Sequence, residues 1–136
     1  MNTWKKSLTL PLMAGLVLGV LAVWNPNEAK QPEAPARLLR HVVMFKFKDD
    51  ATEAQVQGIE KAFAALPSKI DAIHSYEWGK NNSPENLNKG LTHCFLVTFK
   101  DEKGRDAYLP HAAHQEFVAQ LKPILDDVCV IDYWTE

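Results

Sequence analysis

Tyr108-Leu-Pro-His-Ala-Ala-His114 brings a phenol and two imidazoles together at the start of an apolar helical pattern. Imidazoles change charge near neutral pH and a phenol donates a hydrogen bond, so the stretch has the parts for proton transfer. His41 and His93 lie in alternating patterns, on the same side of their strands as Phe45 and Phe95. These residues predict a small polar site inside an apolar pocket lined by His41, His93, Tyr108, His111 and His114. In such a pocket desolvation disfavours the charged imidazole, which keeps His114 available as a base. Tyr108 would hold that imidazole or polarise a carbonyl. The chemistry that suits this pair is proton abstraction beside a carbonyl, with Phe45 and Phe95 supplying apolar wall.

Other chemistries find less in the chain. It has no Gly-rich phosphate loop and no Ser-His-Asp series, which argues against nucleotide binding and nucleophilic hydrolysis. His111-x-x-His114 with His41 and His93 offers nitrogen ligands for zinc, but no carboxylate stands at a ligand spacing, so no metal and no cofactor is expected. Taken one at a time, His41 and His93 are better explained as core imidazoles bonded to backbone, and Tyr108 is open to a reading as a buried aromatic.

The elements that would position these groups begin after a different kind of sequence. Lys5 and Lys6 precede an uncharged run, Leu8 to Trp24, and a polar, proline-rich stretch follows to Ala36. This is the layout of an export signal, with a membrane anchor as the alternative, so residues 1–24 are assigned to it and 25–37 to a linker. The expected location is periplasmic or extracellular, with membrane contact only through the leader if it stays attached. Cleavage after Ala22 would remove two basic residues and no acid, taking the net charge from −2 to −4. Neither value gives an electrostatic footprint for nucleic acid.

Residues 38–136 have the length and composition of one globular domain. Leu39, His41, Val43, Phe45 and Phe47 alternate as one face of a strand. Thr52 and Gln55 read as a capping box opening a helix that carries Val56, Ile59, Phe63 and Leu66 up to Pro67. Further strands are expected over Ile70–Trp78, Leu91–Phe99 and Val128–Trp134. A second helical region breaks near Pro110 and runs from Ala112 to Asp127, with His114, Phe117, Leu121 and Ile124 as its inward stripe. Phe47-Lys-Asp and Phe99-Lys-Asp close two strands in the same way, the mark of a doubled unit. The order βαββαβ predicts an α+β, ferredoxin-like fold, a four-stranded antiparallel sheet with both helices on one face. In that topology Cys94 and Cys129 sit on strands that are not neighbours, and both are expected to be buried thiols. The uncovered face would carry Val42, Met44, Leu96 and, in one register, Val130 and Trp134, so a homodimer through that face is predicted.

His41-x-Val-x-Phe-x-Phe-Lys-Asp, Tyr76-x-Trp78-Gly79-Lys80, Gly90-x-Thr92-His93, Val97-x-Phe99, Tyr108-x2-His111-x2-His114 and Asp132-Tyr133 together resemble the stress-responsive dimeric α/β barrel (Dabb) family. The resemblance runs from Leu39 to Trp134 and implies a ferredoxin-like fold whose sheets pair into a barrel. It is strongest towards a cyclase that closes a linear polyketide without metal or organic cofactor, which implies His114 as general base, Tyr108 as its support, and His41, His93 and His111 as pocket residues. The usual His-Pro-x-His reads His111-Ala112-Ala113-His114 here, with the proline moved to Pro110. The function expected is binding of a small apolar or polyketide-like molecule with acid–base chemistry of a cyclase or lyase kind. The alternative is a stress-related ligand-binding or interaction module without turnover.

Overall fold

The computed structural model describes residues 37–136. The expected leader and nearly all of the linker lie outside that range. The elements run β1 Leu39–Phe47, α1 Glu53–Ala64, a 3-10 turn Leu66–Ser68, β2 Ser75–Lys80, β3 His93–Phe99, α2 Glu102–Tyr108, α3 Ala112–Leu121 and β4 Leu125–Trp134. The four strands form one antiparallel sheet in the order β2-β3-β1-β4. This is the ferredoxin-like α+β arrangement.

Local chemistry accounts for the helix starts. The Thr52 hydroxyl accepts from the Gln55 backbone while the Gln55 side chain accepts from the Thr52 N–H, which satisfies two free donors at once. Asp101, from the second Phe-Lys-Asp, caps α2 by accepting from Gly104 N at 2.9 Å. The core is aromatic: Phe63 lies 4.5 Å from Phe95 and 4.6 Å from Phe117, and Phe45 lies 5.0 Å from Phe95, between ring centroids.

Several expectations need correction. The second strand does not begin at Ile70 but at Ser75; Ile70 is buried as a loop residue, and pairing starts where His74 N donates to Thr98 O. The third strand begins at His93 rather than Leu91. The last helix ends at Leu121, not Asp127: Lys122 keeps helical angles as the cap, but Pro123 has no N–H to continue the ladder and the chain turns there. Ile124 still reaches the core, carried there by a turn.

The thiols are not buried in the protomer. Cys94 is exposed and Cys129 partly so, because both face away from the helices. They flank Met44 from opposite sides, on the non-adjacent strands that the topology requires. The register of β4 also reverses the expected faces: Cys129, Ile131 and Tyr133 lie on the uncovered side with Val42 and Met44, while Val130 and Trp134 lie on the helix side.

Candidate functional site

One row across the helix side of the sheet carries most of the chemistry. Tyr76 pairs with Val97, Val97 with His41, and His41 with Asp132, so the four side chains cross all four strands in line. Over this row stands the joint between α2 and α3, which contributes Tyr108 and His114. The Tyr108 ring lies 5.8 Å from His41 and 4.3 Å from His114, centroid to centroid. Phe99 closes the group from below, 5.2 Å from Tyr108.

The break in the helix sets the aim of His114. Its Nδ1 donates to the carbonyl of Leu109 at 2.9 Å, a group that can only accept, so the neutral ring has its proton on Nδ1 and its lone pair on Nε2. Burial pushes the His114 pKa down, the Leu109 carbonyl works against that, and nearby His41 and His111 add to the lowering. The net result is a ring that is neutral near pH 7 with one nitrogen free to take a proton. Tyr108 is 1% exposed, and burial pushes its phenol up, with Tyr76 contributing further. It is therefore a donor at any ordinary pH.

His41 is oriented from its other side. Its Nδ1 donates to Asp132 Oδ1 at 2.6 Å, and Asp132 Oδ2 receives Arg105 Nη1 of α2 at 3.1 Å. The carboxylate thus fixes the imidazole and latches α2 to β4. Sequence reasoning gave Arg105 no part and read Asp132 only as a motif residue. Their separation from His41 along the chain hides the contact, although strand parity places Asp132 on the helix side once the register is known.

The other predicted residues separate. His93 pairs with Phe45, four residues along β3 from Val97, and so lies roughly 13 Å from the row of His41. There its Nε2 donates to Glu60 at 3.1 Å, Thr92 Oγ1 meets its Nδ1 at 2.8 Å, and Lys80 completes the group at 2.9 Å from Glu60. Burial alone would raise the Glu60 carboxyl, but hydrogen bonds from Lys80 and His93 outweigh it and hold it below the ordinary value. His111 caps α3, its Nδ1 accepting from Ala113 N at 3.2 Å. Phe45 and Phe95 fill the core, at 2% and 0% exposure.

The expected pocket, with all four imidazoles on one wall, is therefore not formed. A groove of about 580 Å³ lies instead on the far side of β2 and β3, between Met44, Glu77, Leu87 and Leu96 and touching His93, and a smaller one of about 310 Å³ lies by His74; neither is lined by His41, Tyr108 or His114. The same separation undoes the four-histidine metal set: among the described residues no three His, Cys, Asp or Glu side chains are grouped to hold an ion.

Comparison with known proteins agrees with this architecture. The stress-response A/B barrel domain-containing protein HS1 of Arabidopsis thaliana is 37% identical over 79% of this chain and 93% of its own. Olivetolic acid cyclase of Cannabis sativa is 32% identical over 70% of this chain and 94% of its own. A crystal structure of a dimeric ferredoxin-like protein of unknown function from Jannaschia sp. superposes with a TM-score of 0.61 at 25% identity, covering 71% of this chain and 97% of that one. The model of the stress-responsive A/B barrel domain matches residues 39–135, and the chain belongs to that family.

Proposed function

We propose that the protein is an exported homodimer that binds a small apolar, ketone-bearing or polyketide-like molecule at the His41–Tyr108–His114 cluster and removes a proton beside its carbonyl. The observation that carries this reading is the fixed tautomer of His114, which leaves the lone pair on Nε2 of a ring packed 4.3 Å from that of Tyr108. His114 Nε2 would take the proton from carbon, the Tyr108 hydroxyl would donate to the carbonyl oxygen, and the enolate carbon would add to a second carbonyl of the same molecule, whose C=O π bond opens to an alkoxide that takes back the proton from His114. A positioned acid–base pair of this kind contributes about 10²–10⁴-fold. The likeness to olivetolic acid cyclase supports a cyclase-like course, and the dimeric state of the Jannaschia protein supports a dimer. Access would come through the α2–α3 joint, where Leu109, the residue after Tyr108, is 40% exposed.

A second reading, a stress-related binding module without turnover, is favoured by the near-complete burial of Tyr108, which leaves little room for a reacting molecule in the closed state. Deuterium incorporation beside the carbonyl of butyrophenone, followed by NMR in D₂O, separates the two. Catalysis predicts exchange above background in the native protein and a loss of about 100-fold or more in His114→Ala. Exchange that His114→Ala leaves untouched sinks the catalytic reading; shifts of the His114 ring signals on adding butyrophenone without any exchange favour the module. The export proposal rests on the uncharged run behind Lys5 and Lys6. It is checked by the mass of the protein recovered outside the cytoplasm, expected to begin after Ala22.

A further inference from the structure

Tyr76 is the member of the cross-sheet row to which neither the motif nor the acid–base pair assigns a task. Its hydroxyl is buried and has no hydrogen-bond partner, the one such side-chain group among the described residues. Buried donors are almost always satisfied, because an unmet one forfeits its bond to water and gains nothing in return. None of its neighbours meets it. The ring packs on Phe63 at 5.4 Å, Val97 separates it from His41, and the nearby Glu60 carboxylate turns Oε1 to Lys80 and His93 and makes no bond to it. Two strand spacings place Tyr76 roughly 10 Å from His41 along the row, and the Tyr108 ring lies 5.8 Å from that of His41.

We propose that Tyr76 is a binding and specificity-determining residue whose hydroxyl donates to a second oxygen of the ligand, so that the site selects molecules with two carbonyl or hydroxyl oxygens over those with one. The inference rests on the function proposed above and adds the ligand's oxygen pattern to it. Tyr108 addresses the oxygen beside which His114 removes the proton, and Tyr76 addresses another further along the chain. A ligand oxygen that meets this donor gains a bond the free protein lacks, whereas an analogue without that oxygen gains nothing from it. An extended 1,3-dicarbonyl compound offers the pattern that a row of two phenols and a base would read.

The test compares benzoylacetone with butyrophenone, two aryl ketones that differ in the second carbonyl, by following the His114 ring signals on titration into the native protein and Tyr76→Phe. The native protein is expected to bind benzoylacetone at least about tenfold more tightly. Tyr76→Phe should reduce that preference to within about twofold and leave butyrophenone affinity unchanged. Since the hydroxyl has no partner in the free protein, Tyr76→Phe should keep or raise the melting temperature. A preference that survives Tyr76→Phe while both ketones move His114 overturns the role of Tyr76 alone. A melting temperature several degrees lower overturns it too, by showing that the hydroxyl has a structural partner. If neither ketone moves His114 in the native protein, the proposed site fails and this inference with it.

Discussion

His114 is the residue on which pH should act most plainly. Its pKa is lowered by burial, so below about 6.5, the ordinary value, the unfolded chain takes up a proton that the folded chain resists. The contribution of His114 is therefore whole above that pH and is lost as pH falls towards the depressed folded value. Melting temperature is expected to fall between pH 7 and 5, and His114→Gln should flatten that slope. Glu60 belongs to a different window: its carboxyl is held low by Lys80 and His93, so its stabilisation is present above about 4.5 and is lost on further acidification. Glu60→Ala leaves His93 without its carboxylate in a buried setting and is expected to cost about 1–3 kcal/mol in denaturant unfolding. That loss should leave the His114 ring signals in place, because His93 stands roughly 13 Å along the strands from the row of His41.

At the scale of elements, the site depends on how α2 hands over to α3. His111 caps α3 in extended backbone, φ −60° and ψ 136°, the conformation a residue takes before proline, and Ala112 is the first helical position. The N–H there has no partner within the helix, so proline fits it without loss. Ala112→Pro, which restores the usual His-Pro-x-His, should raise stability by about 0.4–1 kcal/mol in urea unfolding and leave the His111 cap intact. A destabilised variant would show that Pro110 has changed the entry of the helix. On α2, Arg105 holds the element to β4 through Asp132. Arg105→Ala should speed amide exchange of α2 relative to β1 and β3; equal protection in both proteins would mean that packing alone keeps the joint closed.

The whole molecule carries an apolar surface that the described residues of the protomer leave uncovered. Val42, Met44, Leu96, Cys94, Cys129 and Ile131 form its centre, and Arg40, Lys46, Glu77 and Asp127 border it. The edge strand β4 is exposed on both sides, with Val128 at 44% and Val130 at 53% on one and Ile131 at 50% and Tyr133 at 47% on the other. A partner that covers this protomer must therefore wrap the β4 edge as well as lie on the sheet. Met44→Asp and Ile131→Asp, each placing an unpaired charge at the centre of the proposed interface, should give the mass of one chain by light scattering at micromolar concentration. A dimer that persists in both would move the interface elsewhere. Either substitution sits on the face away from His114, so a loss of ligand response on dissociation would show that the site needs the second copy.

The pattern of residues along the chain was enough to determine the elements and their order. Strand alternation, the Thr52–Gln55 box and the two Phe-Lys-Asp closures are local, and local sterics and hydrogen bonding decide them without reference to distant residues. Topology followed from there, since few arrangements bury two helical stripes on one antiparallel sheet. Which histidines meet was not legible. His41 and His93 share a face and an apolar setting in the sequence, yet the β1–β3 register sends one to the α2–α3 joint and the other to Glu60, and register depends on pairing between strands about fifty residues apart. The His41–Asp132–Arg105 connection, the exposed thiols and the orphaned Tyr76 hydroxyl have the same origin. Each depends on what lies across a strand or under a helix, and that neighbour is chosen by the packing of the whole sheet.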